Sequence, residues 1–330
     1  PQVVAPRADA RHTGHPAAVR TPEAWGVVLP FRWVEVEGWP DDGLATAMVR
    51  RAAFATSWDD SAAAFSTSDP MLDDIWELCR YSIKATTFAG VYVDGDRERI
   101  AYEADAYLNQ LSHYACAPDV PMARATFDRL LAHPTWPTEW AFHMVFMAHA
   151  DWLQTGDRAW LAARYDRLIP KLLLERARAD GLLVSTAAHI EKGDLVDWPA
   201  SERDGYVFTP VNTVVNAFHL RALKLMAELA IVVGRTGDAQ AYAARFARVE
   251  RSFQRVLFDA VRQRYRDGEG ADHASFHASL FPLAFDLVPP VHRNAVADGL
   301  VNQGMRGSVY AAHYLLSALF EAGRDEAALA

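Results

Sequence analysis

Cysteine is nearly absent from this chain: 330 residues contain two, Cys79 and Cys116. Two thiols cannot build a disulfide framework and fit no zinc spacing, so both read as small buried hydrophobes. No apolar run approaches the roughly 20 residues that a membrane span needs. The best candidate, 225–233, is interrupted by Glu228. Positive charge is also scarce. Lys and Arg number 33 against 42 Asp and Glu, a formal net charge of −9, and no basic block exceeds the scatter of Arg255, Arg262 and Arg264. That leaves no electrostatic footprint for a phosphate backbone, and nucleic acid is not expected as a partner. The chain has no basic-then-apolar leader, no HExxH zinc motif, no glycine-rich phosphate loop and no GxSxG nucleophile elbow, so neither a metal nor a cofactor is expected. It lacks a starting Met, and its last residues read as the interior of a helix. Both ends are therefore expected to be cut from something longer.

What remains is ordinary globular composition, 51% hydrophobic and 23% charged, with length for about two domains. Residues 1–64 differ from the rest. The run 31–38 alternates large apolar with polar side chains at period 2, the pattern of a half-buried strand, and 49–55 is a second candidate. Pro16, Pro22, Pro30 and Pro40 punctuate the region, which is expected to be the end of a β domain and a linker. From Ser68 the period becomes helical. Ser68-Asp69-Pro70 is a helix-start signal, followed by Met71, Ile75, Leu78 and Ile83. Further helices are expected over 103–117, 120–132, 138–154, 158–178, 212–233, 239–257, 274–285, 291–302 and 308–321, with almost no strand signal after position 93. Short connections make successive helices antiparallel. No fixed-period repeat is visible, so a closed toroid of helical hairpins is favoured over a solenoid. In a toroid the chemistry belongs in loops, and the two longest are 88–102 and 181–210.

The first of these loops concentrates charge. Asp94, Asp96, Glu98, Glu103 and Asp105 fall within twelve positions, accompanied by only Arg97 and Arg99. Three readings compete. An EF-hand-like calcium loop finds Asp94, Asp96, Glu98 and Asp105 at positions 1, 3, 5 and 12, but puts Arg99 where glycine is needed. A solvated, salt-bridged turn capping the next helix is the second. The third is a sugar-cleaving site, in which one carboxylic acid protonates a departing glycosidic oxygen and others hold hydroxyls. Elsewhere, Glu139 lies between Trp136 and Trp140, a pairing suited to stacking a sugar while an acid takes its hydroxyls; a buried helix N-terminus explains it as well. Asp197-Trp198-Pro199 offers a second acceptor and stacking ring, with Asp194 as a substitute. His273 and His277 read as core or hydroxyl-bonding residues rather than metal ligands.

Asp94-Gly95-Asp96-Arg97-Glu98-Arg99, with Tyr102-Glu103-Ala104-Asp105-Ala106-Tyr107, resembles the catalytic signature of bacterial α-L-rhamnosidases of glycoside hydrolase family 78. The similarity continues through 133–140, 193–199, 212–218 and 273–278, and residues 31–36 resemble the end of the β domain that precedes the catalytic domain in that family. The resemblance implies a mainly all-α (α/α)6 barrel, a six-hairpin toroid, over 65–330, incomplete at its C-terminus and preceded by β structure in 1–64. It implies hydrolysis of terminal α-L-rhamnose with inversion, acting on a rhamnose-containing oligosaccharide, polysaccharide or glycoside. The general acid maps to Glu98. Asp94, Arg97 and Asp105 map to sugar binding, and Trp136, Glu139, Asp197 and Trp198 are binding candidates. The family's general base, a glutamate in a Trp-Glu stretch, has no counterpart here and is expected beyond the C-terminus, so the piece alone is expected to be inactive. The alternatives are a non-catalytic sugar-binding toroid, or a hydrolase or lyase of other specificity on the same fold.

Overall fold

The computed structural model of the chain describes residues 18–19, 58–95, 98–117 and 120–330. The expected strands at 31–38 and 49–55, and Arg97, lie outside the described residues. The chain divides into two compact units, residues 1–129 and 130–330.

In the first unit, α1 (Pro70–Thr86) begins where Asp69 accepts a hydrogen bond from the Met71 N–H, with Pro70 in the first turn, where a missing N–H costs nothing. A 3-10 turn (Thr87–Ala89) closes on Gly90, whose φ of +72° is the left-handed geometry glycine takes without strain. α2 (Glu103–Cys116) packs against α1, and α3 (Val120–Ala132) crosses the division between the units.

The second unit is built on α4 (Thr138–Thr155), α8 (Thr213–Val232), α9 (Thr236–Leu257), α10 (Phe276–Ala284), α11 (Pro290–Gln303) and α12 (Val309–Glu321). α8 is apolar around most of its circumference and accordingly buried. It pairs with α9 across the turn at Gly234 and packs on α4 and α10, while α12 packs on α10. Phe218 of α8 is the hub, with ring centroids 4.8 Å from both Phe281 and Phe285; Phe281 in turn lies 5.3 Å from Tyr314. Such aromatic pairs contribute about 0.5–1.5 kcal/mol each beyond their area. A short antiparallel pair, β1 (Phe258–Asp259) and β2 (Arg264–Tyr265), joins α9 to α10.

Three expectations are corrected, the first being Cys79, which is exposed where a buried side chain was expected. The helix drawn over 158–178 is instead α5 (Arg158–Ala162), α6 (Tyr165–Leu168) and two 3-10 turns, 169–172 and 174–176. Pro170 cannot donate to a continuing α-helix, and Leu173 at φ +52° reverses the chain. The long loop 181–210 holds a short helix, α7 (Ala187–Lys192), started by a capping box between Thr186 and His189. α13 (Asp325–Leu329) ends the chain. No helix among the described residues is long and apolar enough to cross a membrane.

Candidate active site

The carboxylate-rich loop of the first unit is a closed turn. The Asp94 N–H donates to the Ile100 carbonyl at 2.9 Å, and Asp94 Oδ1 accepts from the Ile100 N–H at 3.0 Å. The Arg99 N–H donates to the Gly95 carbonyl. Gly95 sits at φ +146° and Arg99 at +56°, so the turn needs positive φ at both ends. Arg99 is fully buried with its guanidinium over the Phe88 ring, contacts that offset its unfavourable backbone. The same turn returns the chain to the start of α2, which supplies Glu103 and Asp105 in its first turn. The Tyr102 hydroxyl donates to Glu98 Oε2 at 2.9 Å. Burial, then that carboxylate, push the phenol up, so it stays a donor. Burial is also the main reason the Asp105 carboxyl is pushed up to about 6, with the charges of Asp94, Glu103 and Glu98 adding to it. The turn thus gathers Asp94, Glu98 and Asp105 into one electrostatic group. Among the described residues no set of three or more His, Cys, Asp or Glu is arranged to hold a metal ion.

In the second unit the loop 193–199 gathers the remaining candidates. Glu139, in the first turn of α4, is 2% exposed and accepts from the Leu195 and Val196 N–H groups at 3.0 and 2.9 Å. Its carboxyl is raised by burial and by neighbouring Asp194. Asp194 takes the Asn212 side-chain amide at 2.9 Å and lies 3.6 Å from Arg176, which also donates to Thr138 and Ser185. Asp197 is buried and its two oxygens meet four donors. Oδ1 accepts from the Trp198 N–H at 2.7 Å and from the Ser308 hydroxyl; Oδ2 accepts from His277 Nε2 at 2.7 Å and the Ser308 N–H at 2.9 Å. Burial raises this carboxyl, but the His277 and Ser308 bonds outweigh it and hold it below the usual carboxylate range. Trp136 and Trp198 are the exposed rings, 61% and 66%.

Residues 60–330 match the family model of the bacterial alpha-L-rhamnosidase 6-hairpin glycosidase domain. The chain belongs to this family. Curated proteins contain no match to it. Solved structures do. The GH78 family rhamnosidase of Bacillus sp. GL1 superposes with a TM-score of 0.74 at 20% identity, over 83% of this chain and 31% of that one. The rhamnosidase from Klebsiella oxytoca with rhamnose bound gives 0.70 at 17%, over 80% and 54%. The Streptomyces avermitilis alpha-L-rhamnosidase complexed with L-rhamnose gives 0.61 at 18%, over 80% and 26%. The chain therefore spans between about a quarter and just over half the length of these proteins. Its fold class is the mainly all-α (α/α)6 six-hairpin toroid.

Within this rhamnosidase-family domain, Asn212, Asn216 and Asp267 hold loops in place. Asn212 caps α8 by accepting from the Val215 N–H while its amide holds Asp194. Asn216 exchanges two bonds with the Leu183 backbone. Asp267 fixes the segment before α10, taking His273 Nδ1 at 2.6 Å and the Ser275 and Val207 N–H groups. His277 and Ser308 were not legible as partners of Asp197, because they lie 80 and 111 positions away. Tyr102 carries the one signal available at sequence level, its place inside the acidic motif; Arg176, 18 positions from Asp194, carries none.

Proposed function

We propose that this domain hydrolyses terminal α-L-rhamnosides with inversion, on a rhamnose-containing oligosaccharide, polysaccharide or glycoside. Glu98 is the general acid, Asp94, Arg97 and Asp105 hold the rhamnose, and Trp136, Glu139, Asp197 and Trp198 are further substrate-binding residues. Asp197 contributes by holding Trp198, since its own acceptor positions are occupied by protein donors. On the same reading residues 65–330 are the glycosidase domain and 1–64 the end of a preceding β domain. The proposal is supported by the family match together with a carboxylate group at Asp94–Asp105 in which burial, then neighbouring charge, push one acid up to about 6. That acid is Asp105, which gives a second reading: Asp105 rather than Glu98 protonates the leaving oxygen.

Paired variants separate the two readings. Glu98→Gln is expected to lower kcat on a rhamnosyl disaccharide by about 100-fold or more, and less on an aryl rhamnoside whose leaving group needs little proton assistance. Asp105→Asn is expected to raise KM alike on both substrates. The reverse pattern transfers the acid role to Asp105, and equal losses on both substrates from both variants remove each from that role.

A further inference from the structure

Among the described residues, Arg203 is a cation without a contact anion. Its Nε donates to the Asp197 carbonyl at 2.8 Å, and its guanidinium lies 5.9 Å from the Trp198 ring and 5.6 Å from the Phe208 ring. Among the described residues it makes no ion pair. The carboxylates acting on it from a distance, Glu139 and Asp197, are already bonded by other donors. Adjacent Asp204 is taken by Arg306 at 3.1 Å and the Phe276 N–H at 2.8 Å, and among the described residues Glu202 meets only the Ser201 hydroxyl at 3.5 Å. The mounting is rigid. Trp198 and Arg203 both hang from Asp197, which is fixed by His277 and Ser308, and Phe208 is backed by Tyr206, whose hydroxyl donates to the Asp267 carbonyl at 2.6 Å. A half-buried guanidinium whose terminal nitrogens have no partner among the described residues, edged by a 66% exposed indole, has the two features that bind an anionic sugar. The fork takes a carboxylate in two hydrogen bonds, and the ring stacks on the apolar sugar face.

We propose that Trp198 and Arg203 form a subsite for a uronate, a sugar ring bearing a carboxylate. Resting on the rhamnosidase reading, the uronate is part of the rhamnosylated substrate. Neutral sugars could use the indole but would leave the cation unpaired.

The test titrates sodium D-galacturonate, its methyl ester and L-rhamnose separately into the 330-residue chain by calorimetry, for wild type, Arg203→Lys and Arg203→Gln. Galacturonate is expected to bind about tenfold or more tighter than the ester, the size of a charge-assisted hydrogen bond. That preference should shrink in Arg203→Lys, vanish in Arg203→Gln and weaken in wild type at 0.5 M NaCl. If Arg203→Gln does not fold, the lysine variant and the salt dependence decide. An ester that binds as well as the acid, a preference indifferent to salt, or one surviving in Arg203→Gln overturns the subsite. Galacturonate selectivity without rhamnose binding sinks the rhamnosidase reading and leaves the subsite; rhamnose binding without galacturonate binding does the opposite.

Discussion

At the scale of single residues, the buried Asp197–His277 contact controls how the 193–199 loop is held. Both side chains are inaccessible to solvent. His277→Ala removes a donor from a buried carboxylate, and the stranded acceptor should lower stability by about 2–3 kcal/mol in urea unfolding. An unchanged midpoint would mean that Ser308 and Trp198 suffice. Gly307 makes a sharper test, because it deletes no bond. A Cβ there would stand 2.7 Å from the Ala311 Cβ and 3.0 Å from both Asp197 Oδ2 and His277 Nε2. Gly307→Ala should therefore cost about 1–3 kcal/mol by pushing the pair apart.

Helix starts were readable because their chemistry is local. Asp69, Asn212, Ser275 and Ser308 each accept from the backbone two or three residues on, and all stand at or beside an expected helix start. The two long loops were readable for the same reason, as gaps in the helical period. The break at Pro170 was overridden by the apolar pattern around it, and α7 was too short to show a period. In the candidate site, Asp94, Glu98 and Asp105 were legible because one short turn and the helix start that follows it carry them. The bond from the Val196 N–H to Glu139 spans 57 positions and leaves no local signature. Two glycines test this element-level account. Gly268 bridges to Asn212, and a Cβ there would lie 2.0 Å from Thr209 Oγ1 and 2.7 Å from the Val211 carbonyl. Gly268→Ala is expected to lose more than about 3 kcal/mol, since backbone cannot step aside. Gly237, in the first turn of α9 with open space around it, should gain up to about 1 kcal/mol on becoming Ala. Equal effects at the two sites would contradict the packing described.

Across the whole molecule, the two units should respond to pH in opposite directions. In the second, burial pushes His143 and His219 down to about 3, and His149 and His313 are also lowered by burial. The unfolded chain takes up protons below 6.5 while the folded one does not, so stability falls as pH falls. Glu139, raised by burial and then Asp194, opposes this by one proton only down to 4.5, below which the loss steepens; lowered Asp197 adds to it below 3.8. In the first unit Asp105 holds its proton to about 6 when folded and to 3.8 when unfolded, so stability falls as pH rises across that window. Exposed Asp59 and Asp60, held low by hydrogen bonds from Ser61 and Lys84, act only below 3.8. Hydrogen exchange corrected for intrinsic rate, compared at pH 4.5 and 6, should show α2 better protected at the lower pH and α8 at the higher. A shift of the same sign in both helices would contradict it.

On the reading proposed above, this rhamnosidase-family domain serves inverting cleavage of α-L-rhamnosides. Proton NMR of the first minutes of hydrolysis, by the protein that carries this domain, tests it most directly. Release of β-L-rhamnose ahead of its mutarotation to the α anomer is the predicted result. Initial release of α-L-rhamnose, or cleavage of other glycosides with rhamnosides untouched, would contradict it.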